Sequence, residues 1–191
     1  MLPGKIGFIR VMADQADGLL SPWLRRERIK AAEPYIKGKV LDFGCGVGTL
    51  SEVCLPEFYL GIDIDEESLK IARQKHVDYR FEKQCPEGQQ FDTIALIAVI
   101  EHIKNPELFL NQMKLLLKPD GRIVLTTPHP LVEKVHFCGA QFGLFSKHAS
   151  EEHEQFFNYG RMSKYASLAG LKIYSYRRFL LGVNQLFVLG I

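Results

Sequence analysis

A continuous apolar run that ends in an acid and opens into alternating glycines leaves a chain few ways to fold. Here it is Val40-Leu41-Asp42-Phe43-Gly44-Cys45-Gly46-Val47-Gly48-Thr49-Leu50-Ser51. A strand covered on both faces reads as uninterrupted hydrophobicity, so Lys39 to Phe43 is expected as the first strand of a parallel sheet. Glycines let the backbone turn tightly and approach a ligand without Cβ atoms in the way. Val47 to Cys54 is expected as a short helix whose free N–H groups face the same spot. The stretch therefore predicts a ligand cradle at the carboxyl end of a strand.

Spacing and charge say what the cradle suits. A dinucleotide fold places G-x-G-x-x-G over a pyrophosphate, whereas here the third glycine comes one residue early and Asp42 precedes the loop. A carboxylate repels a pyrophosphate and favours a cation. On these residues the stretch resembles motif I of the class I S-adenosylmethionine-dependent methyltransferases, whose pattern is D/E-x-G-x-G-x-G. The resemblance implies S-adenosylmethionine as cofactor and S-adenosylhomocysteine as product. It implies that Asp42 acts on the methionine part, directly or through water, while Gly44, Cys45 and Gly46 line the cofactor's path. An ordinary strand-to-helix turn is the plainer alternative.

The rest of the chain accommodates one domain over residues 1–191, with 47% hydrophobic and 24% charged residues. Residues 1–36 read as an N-terminal arm and helix, and 128–159 as a lid or substrate insertion. A net charge of +2 demands no nucleic-acid partner. The four cysteines show no C-x-x-C pairing, which fits reduced thiols in a cytoplasm. Lys5 and Arg10 interrupt the apolar N-terminal residues, so neither a signal peptide nor a membrane span is expected there.

Ser21-Pro22 opens a helix that carries Trp23, Ile29 and Ala32 until Pro34 stops it. Arg25, Arg26, Arg28 and Lys30 crowd that helix and read as a solvated face, with an acid-binding patch as the sharper alternative. Glu57 to Asp63 reads as the second strand, ending in an acid about 20 residues after the first, where a ribose-binding carboxylate is expected. Asp65 then caps a helix with Glu66 and Glu67 in its first turn and Arg73 and Lys75 in its last. Val77 to Phe81 is a modest third strand. Phe91 to Ile97 is a central fourth.

The stretch Ala98-Val99-Ile100-Glu101-His102-Ile103 again resembles the family, in the branch with Glu-His after strand four that includes quinone-biosynthesis methyltransferases. Asn105-Pro106 starts a helix through Leu117 whose Phe109, Met113 and Leu116 form a core stripe. Lys118 to Gly121 is a turn, and Arg122 to Thr127 a β-branched fifth strand. The 128–159 stretch is long for a plain connection and holds five phenylalanines and four of the six histidines. Arg161 to Ala169 reads as a helix closed by Gly170, and Leu171 to Gly190 as a terminal hairpin.

Alternating strands and helices followed by a hairpin predict an α/β fold, a parallel sheet with helices on both faces and an antiparallel edge. The resemblance implies a Rossmann-like three-layer sandwich whose seven-stranded, mostly parallel sheet runs 3-2-1-4-5-7-6, with the last strand antiparallel. The site would lie outside the carboxyl ends of strands one and four, where Asp42, Asp63, Ile64, Ala98 and Val99 are the expected cofactor contacts. For a hydroxyl or amine acceptor a general base is needed, and His102 is the first candidate, His153 the second. Packing or helix capping is an equal reading of His102. Metal-dependent relatives carry Glu-x-x-Glu-His, but Ala98 stands where the first glutamate belongs, so no metal is expected and His153 reads as a substrate-pocket residue. The acceptor is expected to be a small or lipid-like molecule. A module that binds the cofactor without catalysis, and a nicotinamide-dependent reductase, are the alternatives.

Overall fold

In the computed structural model, which describes residues 21–131 and 156–191, the apolar run before the glycines becomes β1 (Val40–Phe43). It is flanked by β2 (Tyr59–Ile62) and β4 (Phe91–Ile97), both parallel to it and both nearly all apolar. Beyond β2 lies the three-residue β3 (Arg80–Glu82), and beyond β4 lies β5 (Leu117–Pro128). The hairpin strands β6 (Lys172–Phe179) and β7 (Asn184–Gly190) complete the sheet. The order is β3-β2-β1-β4-β5-β7-β6, with β7 antiparallel to both β5 and β6. This is the expected seven-stranded arrangement.

Helices cover both faces. On one side α1 (Ser21–Ala32) and α2 (Glu66–Lys75) supply Ile29, Ala31, Leu69 and Ala72 to the core. On the other, α3 (Pro106–Leu115) and α4 (Tyr159–Leu168) bury Leu110, Met113, Met162 and Ala166 against Ile94, Leu96, Leu125 and Phe187. Both predicted caps are present: Asp65 Oδ2 accepts from the Ser68 N–H at 3.2 Å, and Asn105 Oδ1 from the Leu108 N–H at 3.1 Å. Asp65 also accepts from the Ser68 hydroxyl at 2.6 Å. Asp65→Ala is expected to cost about 1 kcal/mol, read as a lowered denaturation midpoint with an unchanged slope.

Several boundaries differ from expectation, each for a local reason. The helix expected over Val47 to Cys54 is a 3₁₀ turn, Thr49–Val53, because Gly48 enters it left-handed (φ 80°). The first residues assigned to strand two form a 3₁₀ turn, Pro56–Phe58, with proline at its start. Strand three begins three residues late, where Phe81 pairs with Gly61. The turn at Lys118 to Gly121 sits inside β5, at a register shift opposite Asp92, and Lys118 Nζ pairs with Asp92 Oδ2 there at 2.7 Å. Arg28 is buried rather than solvated, and Trp23 on the same helix is half exposed. Among the described residues no helix is long and apolar enough to cross a membrane. Residues 1–20 and most of the 128–159 segment, His153 included, lie outside the described residues.

Candidate active site

The glycine loop leaves β1 with Gly44, Gly46 and Gly48 all in the left-handed region, which glycine adopts without a Cβ penalty. The N–H groups of Gly44 and Cys45 both donate to the Ile62 carbonyl, at 2.8 and 3.0 Å, and tie the loop to the end of β2. Asp63 completes the tie. Its Oδ2 accepts from the Gly46 N–H at 2.8 Å and its Oδ1 from the Asp65 N–H at 2.9 Å. The carboxylate thus joins the glycine loop to the turn that starts α2, with Ile64 half-buried beside it.

A Cβ at Gly44 would lie 2.8 Å from Val99 Cγ2, so the loop packs directly on the residues that follow β4. A Cβ at Gly46 would meet nothing within 4 Å among the described residues. That open space is where a ligand can approach the backbone. Ala98, the first residue past β4, is itself left-handed (φ 58°) and donates its N–H to the Thr126 carbonyl at 3.0 Å. A non-glycine residue there costs about 1 kcal/mol or more, strain stored where β4 turns toward the glycine loop.

Asp42 lies beneath this surface rather than on it. Its side chain is buried and its Oδ2 accepts the Tyr59 hydroxyl at 2.6 Å. Burial pushes its carboxyl up to about 7, the Tyr59 hydrogen bond pulls the other way, and the charge of Asp63 adds to the rise. Tyr59 reaches it because Gly61, beside Asp42 in β2, has no side chain: a Cβ there would lie 2.9 Å from Tyr59 Oη. Sequence reading assigned Tyr59 no role. The signal was a tyrosine two residues before a glycine, on the strand face that Asp42 shares. Burial also pushes the Cys45 thiol up, so it lines the loop as a neutral group.

Past the end of β4, His102 is half-buried in the 3₁₀ turn Ile100–His102, its N–H donating to the Val99 carbonyl at 3.1 Å. Glu101 is buried, and among the described residues its Oε2 has no hydrogen-bond partner. Among the described residues no three His, Cys, Asp or Glu side chains converge as a metal-ligand set. The structure therefore brings Asp63, the glycine loop, Ala98 and Val99 together, with Asp42 underneath and His102 beyond.

A family model described as "Methyltransferase domain" matches residues 12–176. The chain belongs to this methyltransferase family. Membership meets the expectation of an S-adenosylmethionine-dependent methyltransferase and displaces the nicotinamide reductase. Among curated relatives, the chain is 29% identical over 158 residues to a ubiquinone biosynthesis O-methyltransferase of Dinoroseobacter shibae, covering 75% of this chain and 64% of that protein. A protein of the same description from Coxiella burnetii is 28% identical, covering 76% and 70%. A mitochondrial one from Arabidopsis thaliana is 34% identical over 110 residues, with 51% and 34% covered. The chain thus spans just under two thirds of the Dinoroseobacter protein's length. Two solved structures share the fold. Magnesium protoporphyrin IX methyltransferase from Synechocystis, with S-adenosylhomocysteine bound, has a TM-score of 0.66 at 17% identity, covering 94% and 90%. An S-adenosylmethionine-dependent methyltransferase from Clostridium acetobutylicum has a TM-score of 0.63 at 15% identity, covering 92% and 93%.

Proposed function

We propose that this chain moves a methyl group from S-adenosylmethionine to a hydroxyl of a small or lipid-like acceptor. The observation that carries this reading is the carboxylate-bound glycine loop, open above Gly46, with the Asp42 carboxyl buried below. Asp42, Gly44, Cys45 and Gly46 would hold the methionine part, Asp63 and Ile64 would take the ribose and its adenine-side flank, and Ala98 and Val99 would flank the transferred methyl. Bound there, the cofactor supplies a methyl group whose bond to a cationic sulfur breaks as that sulfur takes the electron pair.

The protein's own work is to orient, exclude water and move one proton. Holding the acceptor oxygen in line with the methyl converts a bimolecular step into a unimolecular one. His102, four residues after Ala98, accepts the proton that the hydroxyl loses as its oxygen bonds to carbon. His153 is the second candidate base, and the 128–159 segment the cover over the acceptor. The names of the curated relatives support an oxygen acceptor of quinone type. Free thiols at Cys45, Cys54 and Cys85 support a reducing, cytoplasmic setting. We read residues 1–191 as one domain.

Thermal shift with S-adenosylmethionine, S-adenosylhomocysteine and reduced nicotinamide dinucleotide tests the cofactor, and turnover of labelled methyl donor against a catechol and hydroquinone panel tests the reaction. Stabilisation by the first two and label transfer are expected. Binding without any transfer would make the chain a cofactor-binding module. His102→Ala is expected to lower kcat about a hundredfold or more with cofactor affinity unchanged. A kcat within about threefold of wild type at saturating acceptor would remove His102 from the role.

A further inference from the structure

The strand β3 is only three residues long and lies at the edge of the sheet, yet two parts of the cradle rest on it. The Phe81 ring props the glycine loop: a Cβ at Gly48 would lie 2.7 Å from its Cζ, and one at Gly61 2.7 Å from its Cδ1. The same ring meets Tyr59, the donor to Asp42, edge-on at 5.7 Å between centroids. The next residue supports the other acid. The Glu82 carbonyl accepts from the Asp63 N–H at 3.2 Å, and Asp63 is the carboxylate that holds the Gly46 N–H.

So short an edge strand needs an anchor. Successive carbonyls of a strand point to opposite sides, so with the Glu82 carbonyl facing β2, that of Phe81 points out at the open edge of the sheet. Arg73, in the last turn of α2, donates to it from both Nε, at 3.2 Å, and Nη2, at 3.1 Å. Its Nη1 donates to Glu66 Oε1, seven residues earlier on the same helix, at 2.8 Å. These bonds fix the plane of the guanidinium, whose rigid fork of donors suits such a contact. The Glu66 ion pair is half exposed on both sides and adds little to stability by itself. What the fork achieves is to tie α2 to β3 at the point that carries Asp63 and the glycine loop.

We propose that Arg73 is a positioning residue for cofactor recognition: by clamping the Phe81 carbonyl it fixes the end of β3, and through the Glu82 carbonyl it holds the Asp63 carboxylate in register with the ribose hydroxyls. The proposal rests on the placement of the ribose at Asp63 given above. Arg73 acts through the backbone of β3. Its loss lets the edge strand shift, and the selectivity for a hydroxylated sugar falls with it.

Titration calorimetry with S-adenosylhomocysteine and its 2′-deoxyribose analogue tests it. Wild-type protein is expected to bind the hydroxylated ligand about tenfold more tightly, the effect of one hydrogen bond to a carboxylate. In Arg73→Met, which keeps the stem and removes the donors, that ratio should fall below about threefold. In Arg73→Lys, which keeps one charged donor, most of the ratio should return. A generally loosened fold would weaken both ligands alike, so an unchanged ratio in Arg73→Met overturns the proposal whatever happens to its melting temperature. Glu66→Ala removes the ion pair but leaves the two bonds to Phe81, and should keep the full ratio; a ratio lost there would make the ion pair the working contact and overturn the clamp even if Arg73→Met fails to fold. Wild-type protein that binds both ligands equally is a different failure: it removes the placement of the ribose at Asp63, and this proposal with it.

Discussion

Asp42→Asn is expected to lower S-adenosylmethionine affinity about ten- to a hundredfold while changing S-adenosylhomocysteine affinity by no more than about threefold. The two ligands differ by the charge on sulfur, and Asp42 is the buried carboxyl beneath the loop. Because burial raises its carboxyl to about 7, pH enters with a definite sign. A cationic ligand favours the ionised carboxylate, so binding weakens as pH falls below 7. Between about pH 8 and about pH 6 the wild-type Kd for S-adenosylmethionine should rise about tenfold, and the slope should vanish in Asp42→Asn. The ligand-free protein shows the converse. A carboxyl whose folded pKa exceeds its unfolded one binds an extra proton in the native state, so this contribution to stability is lost as pH rises toward 7. Equal losses for both ligands, or a pH slope that survives the substitution, would refute the assignment of Asp42.

Gly61→Ala is expected to destabilise the protein by about 1–3 kcal/mol and to weaken the cofactor as a secondary effect. The new methyl would sit 2.7 Å from Phe81 Cδ1 and 2.9 Å from Tyr59 Oη. Neither ring has slack: Tyr59 is edge-on to both Tyr79 and Phe81, at 5.6 and 5.7 Å between centroids. Displacing Tyr59 withdraws the hydroxyl from Asp42, leaving a buried carboxylate with less compensation. Gly46→Ala makes the contrast. Its Cβ meets no atom of the described protein but enters the cradle, so it should impair ligand affinity more than melting temperature. Paired melting and binding curves check both, and identical profiles for the two variants would contradict the geometry.

Much of this architecture is legible without coordinates, and the exceptions share a cause. Phe91–Ile97 reads correctly to the residue because a strand covered on both faces is apolar throughout. The caps at Asp65 and Asn105 read correctly because capping is a contact between residues three apart. The strand order followed from the family resemblance carried by the glycine loop and the Glu-His pair. What failed depends on distant partners. Arg28 looks like one of four solvated cations until Asn184, 156 residues away, folds onto it. Tyr59 looks like any strand aromatic until Gly61 opens a path to Asp42.

The wholly buried strand β7 lies between β5 and β6, although it is the last of the seven in the chain. Its insertion makes closure of the sheet wait on the last-made strand: until Asn184–Gly190 has left the ribosome, β5 presents a bare edge and Leu125 has no Phe187 across from it. A nascent chain halted before that point would carry the entire glycine loop and still be an open, sticky half-sheet.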